Sequence, residues 1–102
     1  VYARLRDPGL TAEDCTTVLE AVYRHHPCVS VLPVGTYPAT KWARHSNKAL
    51  LSVQVDTRTG QMILMSAIDN LIKGQAGQGV QCLNLMEGLE PQTGLPLQGC
   101  YP

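Results

Sequence analysis

The sequence predicts an α+β domain, a mainly antiparallel sheet with two helices in the order β-α-β-loop-β-β-α. Three observations carry that expectation. Val1 to Arg6 alternates apolar and polar residues. Two later segments space apolar residues three and four apart, as one face of a helix requires. Lys48 to Ile68 holds two strand-like runs split by Thr57-Arg58-Thr59-Gly60, which reads as a hairpin.

In Val1 to Arg6, Val1, Ala3 and Leu5 oppose Tyr2, Arg4 and Arg6, a strand with one wetter face. Asp7-Pro8-Gly9 is turn chemistry. Thr11 can cap a helix whose first turn holds Glu13 and Asp14 at the positive end of the dipole. Cys15, Val18, Leu19 and Val22 give that helix one core-facing stripe. Arg24, His25 and His26 are expected in its last turn, and Pro27 stops it. Cys28 to Leu32 is a short β-branched strand, followed by a long irregular segment from Pro33 to Asn47 with the single tryptophan and an excess of positive charge. Long loops in compact domains are often functional.

In the hairpin, Leu51, Val53 and Val55 share one face of the first strand. Met62 to Ile68 is apolar throughout, which predicts that the second strand is the more central. A second helix is expected to open at Gln75-Ala76-Gly77-Gln78-Gly79, with Val80, Leu83 and Met86 near one face and Gly88 as a left-handed stop. Pro91 to Pro102 is a tail without periodicity.

Composition narrows the function classes. In 102 residues, eight basic side chains balance eight acidic ones, and neither sign forms a block. That speaks against a partner made of nucleic acid or an anionic membrane, since both need a basic surface. No apolar run approaches the roughly 18 residues of a membrane span. Cys15, Cys28, Cys82 and Cys100 contain no C-x-x-C pair, so no zinc or redox site is signalled. Reduced thiols in a cytoplasmic protein are expected. A start inside a strand-like run, without methionine, points to a piece of a longer polypeptide.

The segment Asp69 to Gln81 carries the chemistry. It reads as a buried strand running into a helix whose first turn is almost free of side chains, where Gly74, Gly77, Gly79 and Ala76 leave backbone amides open to a flat or charged ligand. The plainer reading is that the glycines allow close helix–sheet packing. Neither a Walker loop nor a dinucleotide G-x-G-x-x-G pattern is present.

Asp69-Asn70-Leu71-Ile72-Lys73-Gly74-Gln75-Ala76-Gly77-Gln78, followed by Val80-Gln81-Cys82-Leu83-Asn84-Leu85-Met86, resembles the C-terminal signature of N-acetyl-gamma-glutamyl-phosphate reductases, D-N-L-x-K-G-x-A-G-Q-A-x-Q-x-x-N-L. Gly88-Leu89 and Thr93-Gly94-Leu95 resemble that family's ending, with Pro91 where a glutamate would stand. Leu32-Pro33-x-Gly35, Pro38-x-Thr40 and Ser46-Asn47 resemble the loop before its last hairpin. The resemblance covers essentially the whole chain.

The resemblance implies a two-domain, semialdehyde-dehydrogenase-type enzyme of arginine biosynthesis. Residues 1–74 would be part of its catalytic and dimerisation domain. Residues 75–102 would be a helix and tail packing on a nucleotide-binding Rossmann domain in the rest of the polypeptide, within a homo-oligomer. Gln78 would lie beside the nicotinamide end of NADP, with Asn70, Lys73, Gly74 and Gly77 as further cofactor-pocket positions. The reaction it implies reduces an acyl phosphate to an aldehyde through a cysteine nucleophile and a histidine. Both would precede Val1, so no residue here is expected to be catalytic. His25, His26 and His45 are expected to be solvated. Gly99-Cys100-Tyr101-Pro102 echoes the family's nucleophile wording, but at the wrong end and with no helix after it. His45 replaces a usual glycine, which puts the geometry of its loop in question. An aspartate-semialdehyde dehydrogenase-like fragment and a non-catalytic association module are the alternatives.

Overall fold

The computed structural model describes residues 1–100; Tyr101 and Pro102, at the end of the tail, lie outside them. Strands β1 (Tyr2–Arg4), β2 (Val29–Val31), β3 (Ala49–Asp56) and β4 (Gln61–Ile68) form one sheet in the order β1-β4-β3-β2. β4 pairs antiparallel with both β1 and β3, while β2 runs parallel to β3. The α+β class and the mainly antiparallel sheet are as expected. The parallel pair explains the long segment before β3. Parallel neighbours need a crossover of about a dozen residues or more, and residues 32–48 supply it. Within it lies a one-turn helix, α2 (Thr40–Ala43), too short to leave a periodic signal in the sequence.

The hairpin sets Val53 opposite Leu64 and Val55 opposite Met62. Asp56 fixes the turn by accepting the Arg58 N–H at 3.0 Å and the Thr59 hydroxyl at 2.8 Å, and Gly60 takes φ +65°. The expectation that β4 is the more buried strand is reversed. Leu50, Ser52 and Val53 of β3 are buried, whereas β4 buries only Ala67. Helix α1 (Ala12–Tyr23) packs over β2 and β3 and leaves β4 thinly covered. Leu10, Cys15, Val18, Leu19, Val53, Met62 and Leu64 line an open apolar groove there.

Helix α1 starts as expected. The Thr11 hydroxyl accepts the Asp14 N–H at 3.2 Å, and the Asp14 carboxylate accepts the Thr11 N–H at 2.9 Å, a reciprocal capping box. Its inward face is rotated from the expected stripe. Thr16 is buried, its hydroxyl donating to the Ala12 carbonyl at 2.8 Å, Cys15 and Leu19 are half-buried, and Val18 and Val22 are exposed. The helix also stops at Tyr23, so Arg24 forms the cap and His25 and His26 lie beyond the last turn.

Candidate functional site

Strand β4 delivers the chain to Asp69, whose carboxylate organises the start of the last helix. One oxygen accepts the N–H groups of Leu71 at 2.9 Å and Ile72 at 2.8 Å; the other accepts the His45 N–H at 2.8 Å. The His45 N–H first, then those of Ile72 and Leu71, hold its carboxyl below the usual carboxylate range.

The helix therefore begins earlier than expected, with a π-helical turn, Ile72–Ala76, running directly into α3 (Gly77–Met86). The Gly74 N–H reaches back to the Asp69 carbonyl and the Ala76 N–H to the Leu71 carbonyl, both at 2.9 Å, and the Gly77 N–H bonds the Ile72 carbonyl. This corrects the picture of a bare, amide-rich tip at Gln75–Gly79. Amides there are engaged inside the helix, and the positive helix end is filled by Asp69, an aspartate suited to capping.

The implied cofactor residues divide between two faces. Gly77 is buried, and a Cβ on it would overlap the Asn47 amide oxygen and lie 2.7 Å from Ile72 Cγ2. Close packing is what this glycine serves. Lys73 is half-buried on the same inner face, its ammonium donating to Gln81 Oε1 at 2.7 Å. Gln78, Gly74 and Asn70 are exposed. Beside Gln78, a Cβ on Gly79 would meet nothing within 4 Å, so that flank is open space. Asn70 lines an open cleft of about 380 Å³ with Thr40, Lys41, Arg44, Ile68 and Asp69.

Three side chains of that inner face, Asn47, Gln81 and Asn84, are not singled out by the sequence as site residues. Asn47 is fully buried and donates its amide to Gln81 Oε1 at 2.9 Å and to Cys28 Sγ at 3.4 Å. Asn84 is buried and donates to the carbonyls of Pro91 at 3.1 Å and Thr93 at 2.9 Å, holding the tail. Gly77, Gln81 and Asn84 follow an i, i+4, i+7 spacing, and that polar stripe is the signal that could have found them. It also inverts α3. The helix turns Val80, Leu83, Leu85 and Met86 outward, where the apolar spacing implies a core face.

The Arg44–Asn47 loop meets this helix. His45 takes φ +61°, the left-handed conformation at the position where the resemblance has glycine. The tail straps the loop: the Asn47 N–H donates to the Pro96 carbonyl at 2.7 Å, and the Cys100 N–H to the Arg44 carbonyl at 3.1 Å. Cys100, His25, His26 and His45 are exposed. Among the described residues no group of three His, Cys, Asp or Glu side chains could hold a metal ion.

The model of the semialdehyde dehydrogenase dimerisation domain matches residues 1–70. The chain belongs to that family. Over all 102 residues it is 92% identical to an N-acetyl-gamma-glutamyl-phosphate reductase of Parasynechococcus marenigrum (strain WH8102) and 88% identical to one of Synechococcus sp. (strain CC9605). It is 78% identical to another from Prochlorococcus marinus (strain MIT 9313). The chain spans 29% of the length of each of these curated relatives. The matched dimerisation domain stops at Asn70, so the π-turn and α3 fall beyond it.

Proposed function

We propose that this chain is a segment of an NADP-dependent N-acetyl-gamma-glutamyl-phosphate reductase of arginine biosynthesis, to which it contributes cofactor contacts and subunit packing. The nucleophilic cysteine and proton-handling histidine lie elsewhere in the polypeptide, so the segment alone is inactive. The observation that carries the reading is the outward face of α3. Gln78 presents an amide donor and acceptor at the surface beside the open flank of Gly79. No described residue hydrogen-bonds that amide. This fits the carboxamide end of a nicotinamide cofactor, which would supply the hydride when bound. The names of the relatives above support the substrate.

Val80, Leu83 and Met86 form the apolar seat for the Rossmann domain in the rest of the polypeptide, since an exposed apolar stripe of this kind marks a packing surface. Homo-oligomeric assembly rests on the dimerisation-domain family, and the thinly covered sheet supplies apolar area for it. No described helix is long and apolar enough to cross a membrane. A cytoplasmic location is part of the proposal.

The test is oxidation of NADPH by the full-length protein, followed by absorbance, with N-acetyl-glutamyl phosphate and with aspartyl phosphate as substrates. Turnover with the first alone is expected. Turnover with aspartyl phosphate alone would replace this reading by the aspartate-semialdehyde dehydrogenase one, and none with either would leave the non-catalytic association module.

A further inference from the structure

We propose that Asn47 is a positioning residue for the cofactor-facing helix: through Gln81 it fixes Lys73, and its amide oxygen occupies the space Gly77 leaves, so the π-turn and Gln78 are held in one pose. The assignment rests on the cofactor reading of α3 above and deepens it.

Lys73, Gly77 and Gln81 follow one another at four-residue steps, which puts them along one side of the composite helix. Gln81 Oε1 accepts at once from Lys73 Nζ, at 2.7 Å, and from Asn47 Nδ2, at 2.9 Å. One acceptor thus joins the π-turn, α3 and the loop before β3. Gly77, between Lys73 and Gln81, leaves the space that Asn47 Oδ1 and Ile72 fill. Asn47 is itself held on several sides. It is fully buried, its amide also donates to Cys28 Sγ at 3.4 Å, and its N–H is held by the Pro96 carbonyl at 2.7 Å.

Two features mark this network as more than packing. Asn47 Oδ1 is buried with no hydrogen-bond partner among the described residues, a costly arrangement. The helix also keeps a π-turn, Ile72–Ala76, directly before Gly77, and such turns recur at functional sites. Without the Asn47–Gln81–Lys73 chain, the turn and Gln78, which follows it in the first turn of α3, lose their fixed backing.

The experiment uses the full-length reductase and reads the dissociation constant of NADPH by its fluorescence, together with KM and kcat. Gln81→Leu, which removes the shared acceptor, should weaken NADPH binding about tenfold, the loss of roughly one charged hydrogen bond's worth of preorganisation, while KM for the acyl phosphate changes less than about twofold. Gln81→Glu, whose carboxylate still accepts from both donors, should recover most of that loss. Where Gln81→Leu does not fold, Lys73→Met carries the same test. A folded variant that binds NADPH within about twofold of wild type overturns the proposal. If Gln78→Ala weakens binding but neither of these variants does, only the positioning role fails; if none of the three does, the cofactor reading of α3 fails with it.

Discussion

The carboxylate of Asp69 accepts the backbone N–H of His45 at 2.8 Å, across 24 positions of sequence. The same side chain caps Leu71 and Ile72, so one residue ties the loop before β3 to the start of the last helix. All three donors are backbone amides, and they stabilise the ionised form of the acid.

Asp69→Asn keeps the shape but replaces one acceptor oxygen by a donor, so at least one of the three bonds is lost. Because the folded-state pKa lies below the ordinary carboxylate value, the contribution of Asp69 is fully present above that value and fades as pH falls through the folded one. Urea midpoints of wild type and Asp69→Asn should therefore differ by a constant amount near neutrality and converge below about pH 4. A gap that stays the same down to acid pH would contradict the role given to this carboxylate.

His45 is held at φ +61°, where a side chain costs roughly 1 kcal/mol relative to glycine. The conformation is imposed from outside, by Asp69 on its own N–H and by the buried Ser46 and Asn47 next in the chain. His45→Gly should raise stability by about 0.5–1 kcal/mol in equilibrium denaturation. A fall in the midpoint would mean that the imidazole makes a compensating contact.

The two glycines at the head of α3 should respond in opposite directions. Gly77→Ala drives a methyl into Asn47 Oδ1 and Ile72, and overpacking of that kind costs about 1–3 kcal/mol. Gly79→Ala enters open space inside a helix and should gain about 0.5–1 kcal/mol. Denaturation midpoints that move the same way in both variants would refute the packing assigned to Gly77.

Local signals in the sequence carried much of this architecture. Thr11 and Asp14 are a capping pair within four residues, Asp56 to Gly60 is a self-contained turn, and Gly88 ends α3 at φ +69°. Each is decided by neighbours in sequence, so each was legible. Features that depend on tertiary context were not. Val18 and Val22 fit an apolar stripe, yet the helix turns Thr16 inward, where its hydroxyl is satisfied by its own backbone, as packing on β2 and β3 decides. Asp69 moved the helix start to Ile72 because it could cap that turn and bond His45 together, a combination visible only in space. The candidate site stands out in the sequence as a motif, but its division between two faces does not. The motif alone did not separate Gly77, enclosed by Asn47, from Gln78, exposed on the neighbouring face.

The most direct test of the account is the dissociation constant of NADPH for the full-length protein carrying Gln78→Ala, read by the fluorescence of the dinucleotide. Loss of a hydrogen-bonding amide at the nicotinamide end should weaken binding about tenfold with the denaturation midpoint unchanged. Binding as tight as wild type would place the cofactor away from α3 and remove the role given to its outward face.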